Sequence, residues 1–85
     1  MNTTIDIIDR YTVSINFDSP FGNETVLARG DVYDNDIVLN KSDLISNPAL
    51  SRCSFLELEN AVKFHNSLPN YPKILLNEDD KTENV

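Results

Sequence analysis

Cysteine, glycine and basic residues are scarce in this chain of 85 residues, and each shortage excludes a class of protein. With Cys53 as the only cysteine, no intramolecular disulfide can form, whereas small secreted domains usually carry several. Gly22 and Gly30 are the only glycines, too few for a glycine-rich phosphate loop. Seven Lys and Arg against fourteen Asp and Glu oppose direct binding to nucleic acid or to anionic lipid.

The sequence also lacks the apolar segments that direct a protein to a membrane or across it. No run approaches the roughly eighteen apolar residues that a spanning helix needs. The N-terminus has neither the basic region nor the apolar run of a signal peptide. Together with the single cysteine, these features predict a cytoplasmic protein without a membrane partner, in the host cytoplasm if a phage encodes it.

Hydrophobic periodicity predicts a small α+β domain. Apolar and polar residues alternate over 11–17, the apolar residues of 25–33 fit a register with that segment, and 37–39 is a short apolar run; together these predict three strands. The connections between these strands are short, which favours an antiparallel β-meander. A helical turn over 42–46 follows, and 74–76 is interpreted as a short last strand or a packed extension.

Ser54 and Glu57 give the clearest helix signal. Their spacing is that of a capping box, in which the hydroxyl accepts the Glu57 amide and the carboxylate reaches back. Apolar residues then recur at helical spacing as far as Leu68, and Pro69 stops the helix. The sequence therefore predicts one α-helix over 55–68 that covers one face of the sheet.

A chain of this length supports one shallow core, so we expect a single domain over 1–76. The acidic residues 77–85 are expected to form a flexible tail.

The segment before the first strand is ambiguous. Residues 5–8 can extend that strand, or Thr3 can cap a short N-terminal helical turn, and the helical turn is slightly favoured.

The register of the first two predicted strands follows from their apolar residues. Pairing Phe17 with Val26 places all of these residues on one face, whereas a slip by one residue would bring Arg29 and Asp31 into the core. Gly30 then marks a bulge or the close approach of a packed helix. The other pairs of this register are Ile15 with Ala28, Val13 with Gly30 and Tyr11 with Val32.

The residue sets that catalysis requires are missing from the sequence. Cys53 and His65 are the only Cys and His, and the predicted helix separates them by roughly 15 Å at about 1.5 Å per residue, too far for a Cys–His dyad. Zinc would need three or four such ligands or clustered carboxylates. We therefore expect no enzyme and no cofactor, and we interpret Cys53 and His65 as core residues.

Negative charge is concentrated in the first forty residues, where seven carboxylates face two arginines for a net charge of −5. The predicted meander brings the start of its first strand and its second turn to the same end of the sheet, with Asp9 opposite Asp34. Arg10 is the only obvious local counter-charge. Five carboxylates are therefore predicted to converge on one edge: Asp6, Asp9, Asp31, Asp34 and Asp36.

Three interpretations of this edge stay open: a solvated rim that aids solubility, a docking surface for a basic partner, and a weak site for a divalent metal. A calcium loop starting at Asp34 would need glycine at its sixth position, which the sequence does not have, so no metal site is predicted.

Phe21 either folds back onto the edge of the core or forms an exposed aromatic anchor, and Tyr11 and Tyr33 are further candidate anchors.

In size, acidity and missing catalytic residues, the chain resembles the small inhibitors that phages deploy against restriction and CRISPR nucleases. This resemblance is one of type and transfers no residue. It implies a non-enzymatic nucleic-acid mimic, of the anti-restriction or anti-CRISPR type, that binds a basic nucleic-acid-handling protein or nuclease complex. The predicted binding residues are the five carboxylates together with Tyr33 and Phe21.

The alternative is a small accessory or assembly module, or an antitoxin-like or immunity-like partner. Such a module would bind through an apolar sheet edge or helix face, and a homodimer is one form that it can take. The two hypotheses differ in the salt dependence of binding, which is steep only when exposed charges carry the contact.

Overall fold

Within residues 3–69 and 71–77, which the computed structural model describes, the chain forms two three-stranded sheets and one main helix. This confirms the predicted α+β class. The first sheet contains β1 (Thr4–Asp9), β2 (Thr12–Ser19) and β3 (Gly22–Arg29), and the second contains β4 (Asp31–Tyr33), β5 (Asp36–Asn40) and β6 (Ile74–Asn77). The helices are α1 (Lys41–Ser46), a 3-10 turn (Leu50–Arg52) and α2 (Phe55–Asn66).

The first sheet is an antiparallel meander built around β2. Val13, Ile15 and Phe17 alternate with polar residues along β2 and are at most 1% exposed, so they form the centre of the core. The meander was predicted, but with different strands. Its third strand in sequence order is β3, and the predicted strand over 37–39 belongs to the second sheet as β5.

The favoured helical turn at the N-terminus is wrong, because residues 4–9 form β1. Ile5 pairs with Ile15 and Ile7 pairs with Val13, so the apolar residues of β1 extend the buried face of β2. This cross-strand burial outweighs a local cap. The Thr3 hydroxyl instead donates a hydrogen bond to Glu57 Oε1 at 3.1 Å, which ties the start of the chain to α2.

The register between β2 and β3 differs from the predicted one by two residues. Ile15 pairs with Val26 because Ser19 pairs with Gly22, which leaves a connecting turn of only two residues. The prediction assumed a longer loop between the strands. A shift of two residues keeps the side chains of β2 and β3 on their faces, so Val13, Ile15, Phe17 and Val26 are buried as predicted although the pairing is wrong. Tyr11 is exposed, and Val32 belongs to the second sheet.

Gly30 splits the predicted strand over 25–33 into β3 and β4, which belong to different sheets. Its N–H donates to the Tyr11 carbonyl at 2.8 Å. A Cβ at this position would lie 2.5 Å from the Val38 carbonyl oxygen, so the close approach is to β5 and not to a helix. Glycine is therefore required where the chain passes from one sheet to the other.

The second sheet packs its inner face against the same core. Ile37 and Leu39 of β5 and Ile74 of β6 are at most 1% exposed, and β6 runs parallel to β5, which confirms the predicted short last strand. The side-chain amide of Asn66 fixes β6 to the end of α2: it donates to the Ile74 carbonyl and accepts from the Ile74 N–H, both at 2.8 Å.

The main helix starts where its sequence predicts and ends two residues earlier than expected. The Ser54 hydroxyl accepts the Glu57 N–H at 3.4 Å. The buried stripe contains the residues that the spacing indicated, including Leu58, Val62 and His65. The Glu57 carboxylate accepts from Thr3, so the return bond of the predicted capping box is replaced by a tertiary contact.

Replacing Ser54 with alanine is expected to lower the free energy of unfolding by roughly 0.5–1 kcal/mol, because an orphan amide of the first helical turn loses its acceptor. The long bond of 3.4 Å places the effect at the low end of the range for caps. Thermal unfolding followed by circular dichroism measures it. Ser54→Asn restores the acceptor and should recover most of the loss; equal melting of Ser54→Ala and wild type would contradict the cap.

No helix in residues 3–69 and 71–77 is long and apolar enough to cross a membrane.

Asn77 is the last residue of β6, so the predicted tail begins one residue later than proposed. Residues 78–85 lie outside the described residues, and their flexibility stays a prediction.

Candidate functional site

The hairpin of β4 and β5 carries four of the predicted binding residues: Asp31, Tyr33, Asp34 and Asp36. Tyr33 pairs with Asp36 across a two-residue turn of Asp34 and Asn35. Asp34 has a φ of 56°, in the left-handed region that aspartate adopts more readily than most residues. Asp31, Tyr33 and Asp34 are exposed and Asp36 is half-buried, so one small element presents an acidic surface.

An apolar strip lies beside these carboxylates on the outer face of the second sheet. Asp31 pairs with Val38, and Val38 pairs with Leu75 of β6, so the three side chains share a face. Tyr33 lies one step along the same face and is 63% exposed, while Leu75 is 44% exposed. We call this set of residues, together with Asp34 and Asp36, the acidic hairpin.

The carboxylates of Asp31 and Asp34 form neither a hydrogen bond nor an ion pair with any residue in 3–69 or 71–77. The Asp36 carboxylate does have a partner, because its Oδ1 accepts the Lys73 N–H at 3.4 Å beside the β5–β6 pairing. The Lys73 ammonium is directed elsewhere and donates to the Asn66 carbonyl at 3.2 Å. Two of the three carboxylates of the acidic hairpin therefore have no hydrogen-bond or ion-pair partner among the described residues.

A cleft of about 630 Å³ lies at the base of the hairpin. Arg10 and Arg29 line it together with Asp31, so Arg29 joins the counter-charge that the sequence identified. The Arg29 guanidinium lies 4.9 Å from the centre of the Tyr11 ring, which engages Tyr11 as a cation–π partner. Asp31 therefore shares this cleft with two cations, whereas Asp34 and Asp36 do not line it.

Asp6 and Asp9 lie on the first sheet, so the structure does not gather the five carboxylates on one strand edge. Asp9 pairs with Thr12, and the predicted position opposite Asp34 is wrong because the chain changes sheets at Gly30. The Tyr11 N–H donates to Asp9 Oδ1 at 3.1 Å and lowers the pKa of that carboxyl. Asp9 thus stabilises the turn after β1.

Phe21 lies in the turn between β2 and β3, at the opposite end of the first sheet from Tyr11. It is 80% exposed, so of the two alternatives for Phe21 the one that folds it back onto the edge of the core is wrong. The Arg52 guanidinium lies 5.5 Å from the centre of its ring. Phe21 remains a candidate anchor, but on a surface separate from the acidic hairpin.

An ion pair that was not predicted lies beside Phe21. Arg52 donates to both carboxylate oxygens of Glu24, at 2.8 Å and 2.6 Å, and the Ser19 hydroxyl bonds to the same carboxylate. These hydrogen bonds, first that of Arg52, lower the pKa of Glu24 from 4.5 to about 2. The pair joins β3 to the 3-10 turn across 28 residues, which no local pattern predicts.

Replacing Glu24 with glutamine is expected to lower the melting temperature slightly at pH 7, because an exposed ion pair contributes little. The folded pKa is depressed, so the stabilisation is present above about pH 4.5 and is lost as the pH falls toward 2. Melting curves of wild type and variant between pH 7 and pH 2 should therefore converge in this window. A difference that stays constant with pH would contradict the role of the Glu24 charge.

Cys53 and His65 are both at least partly buried. Burial raises the pKa of the half-buried Cys53 thiol, which disfavours the reactive thiolate. His65 is 5% exposed, as the helical stripe predicted, and its Nε2 lies 2.9 Å from the Pro72 carbonyl oxygen. Among the described residues, no three His, Cys, Asp or Glu are grouped to hold a metal ion.

Comparisons with protein-family models, with curated proteins and with solved structures find no match to this chain. The acidic hairpin is therefore interpreted from its own geometry and charge.

Proposed function

We infer that the protein is a non-enzymatic inhibitor that binds a basic, nucleic-acid-handling protein through the acidic hairpin. The observation that carries this proposal is the exposure of Asp31 and Asp34, which lack a partner among the described residues, beside the exposed ring of Tyr33. Exposed carboxylates without such a partner are available to another molecule.

Charge complementarity indicates the kind of partner. Duplex DNA carries about one negative charge per 1.7 Å of its axis, and the clefts that bind it are lined with Lys and Arg. A protein with a net charge of −7 is attracted to such a cleft over several ångströms before contact. The turn presents Asp34 in an exposed position, from which its carboxylate can meet the basic residues of such a cleft.

The apolar strip, which consists of Tyr33, Val38 and Leu75, can supply affinity that exposed charge alone does not. Exposed carboxylates act mainly on association, whereas buried aromatic side chains supply most of the affinity of an interface. Tyr33 is the aromatic residue of the acidic hairpin, and Val38 and Leu75 flank it on the same face. We expect Tyr33 to be the anchor of the complex.

The non-enzymatic part of the proposal is supported by the state of the two residues that most often perform nucleophilic or acid–base chemistry. The raised pKa of Cys53 and the burial of His65 against the Pro72 carbonyl give both residues structural roles.

A capture experiment with matched variants tests the proposal. The hairpin variant, Asp31→Asn/Asp34→Asn, and the control variant, Asp18→Asn/Glu59→Gln, each remove two carboxylates and change the net charge from −7 to −5. Immobilised wild type and control should retain the same basic nucleic-acid-binding protein from a bacterial lysate, and the hairpin variant should retain less of it. Retention of the same proteins by all three chains would reject the acidic hairpin as the docking surface.

A further inference from the structure

An open groove of about 600 Å³ runs between β1 and α2, on a surface separate from the acidic hairpin. It is lined by every residue from Thr3 to Ile7 and by one face of α2, including Glu57 and Phe64. Successive side chains of a strand point to opposite faces of its sheet. Because consecutive residues line the groove, it follows the edge of β1 and not one face of the sheet.

This edge of β1 is unpaired in the described part of the chain. The strand order of the first sheet is β1-β2-β3, so β1 pairs with β2 on one side only. Alternate N–H and C=O groups of an edge strand project away from the sheet and can pair with another chain. The register is regular over residues 4–7 and shifts after Ile7, so a stretch of about four residues is geometrically suited to pairing.

The walls of the groove expose apolar surface that a bound chain would cover. Phe64 and Tyr71 line it, yet they remain 70% and 58% exposed. Half-buried Ile7 contributes apolar surface from the β1 side, whereas Ile5 lines the groove but is only 5% exposed. A peptide that adds a strand to a sheet edge gains affinity from main-chain hydrogen bonds and specificity from pockets that accept its alternate side chains. The free edge of β1 and the exposed aromatic side chains beside it offer both kinds of contact.

Charge at the groove specifies its occupant further. Asp6 and Glu57 line it, and neither Lys nor Arg is among the described residues that do so. We propose that the groove binds an extended peptide segment of a partner protein, with apolar residues at alternate positions and Lys or Arg between them, as an added strand on β1. A second copy of the chain fits less well, because its own β1 carries Asp6 and Asp9 and no cation.

An NMR titration tests this proposal with a blocked peptide of alternating valine and lysine as the probe. Amides of residues 4–7 and of Phe64 should shift on binding, and the amides of β1 should gain protection from hydrogen exchange. A peptide with glutamate in place of lysine, and one N-methylated along its pairing edge, should both bind at least about fivefold more weakly.

Two variants on the same helix provide a matched comparison. Phe64→Ala should weaken binding of the valine–lysine peptide about fivefold, whereas Leu56→Ala, at an equally exposed position that does not line the groove, should leave it unchanged. No binding, equal binding of the glutamate peptide, or equal effects of both variants would overturn the proposal, as would concentration-dependent dimerisation that protects β1 without peptide. The hairpin variant should bind the peptide like wild type, so the two proposals fail separately.

Discussion

Replacing Gly30 with alanine is expected to lower the free energy of unfolding by about 1–3 kcal/mol, the usual range for an overpacked site. The added Cβ would lie 2.5 Å from the Val38 carbonyl oxygen and 2.8 Å from Ile37 Cγ2, so backbone has to move. A domain of 85 residues has a total stability of roughly 4–13 kcal/mol, so the loss is a substantial fraction of it. Urea denaturation measures the change.

The sign of this effect distinguishes the two-sheet structure from a continuous strand over 25–33. In an unhindered strand, alanine is favoured over glycine by roughly 0.5–1 kcal/mol, so Gly30→Ala would stabilise the protein. In the structure described here, it destabilises, and the amides of β4 and β5 should lose hydrogen-exchange protection before those of β2. A variant that is as stable as wild type, or more stable, would contradict the close approach of Gly30 to β5.

The acidic hairpin should divide its contributions between the two rate constants of binding. Asp31→Asn/Asp34→Asn is expected to slow association with the captured partner about fivefold at about 0.1 M salt, because exposed charges accelerate encounter. Tyr33→Ala is expected to raise the dissociation rate more than tenfold, since truncation of an anchoring aromatic residue usually costs about 2 kcal/mol or more.

Surface plasmon resonance with the purified partner measures both rate constants. The effect of the Asn substitutions should disappear as salt rises to about 1 M, where the Debye length falls to about 3 Å. The control variant, Asp18→Asn/Glu59→Gln, should associate like wild type. If Tyr33→Ala leaves dissociation unchanged, the apolar strip does not anchor the complex.

Elements with local signals were predictable from the sequence. Ser54 accepts a backbone amide within three residues, and the stripe from Leu58 to His65 repeats at helical spacing, so α2 was predicted almost to its ends. The alternation of Val13, Ile15 and Phe17 likewise identified β2 and its buried face. Both signals depend on neighbours along the chain.

The errors arose where distant residues decide the structure. Ile5 pairs with Ile15, and this contact makes residues 4–9 a strand although Thr3 offered a local helix cap. Gly30 looked like a residue within a strand, and only the approach of Val38 reveals it as the point where the chain changes sheets. Tertiary contacts override local preference in both cases.

The candidate site was predictable only where its residues are neighbours along the chain. Asp31, Tyr33, Asp34 and Asp36 are close in sequence, so the hairpin that carries them could be identified. The convergence with Asp9 depended on the strand that Gly30 interrupts. The groove beside β1 could not be predicted, because its walls come from β1, α2 and Tyr71, which meet only in the folded chain.

Displacement of nucleic acid is the most direct measure of the proposed function. Fluorescence anisotropy of a labelled DNA duplex, bound to the partner that the immobilised protein retains, should fall to the value of free duplex as wild-type protein is added. The control variant should displace the duplex at the same concentrations, and Asp31→Asn/Asp34→Asn only at concentrations about fivefold higher. If the wild-type protein binds the partner while the duplex stays bound, the acidic hairpin does not occupy a nucleic-acid site.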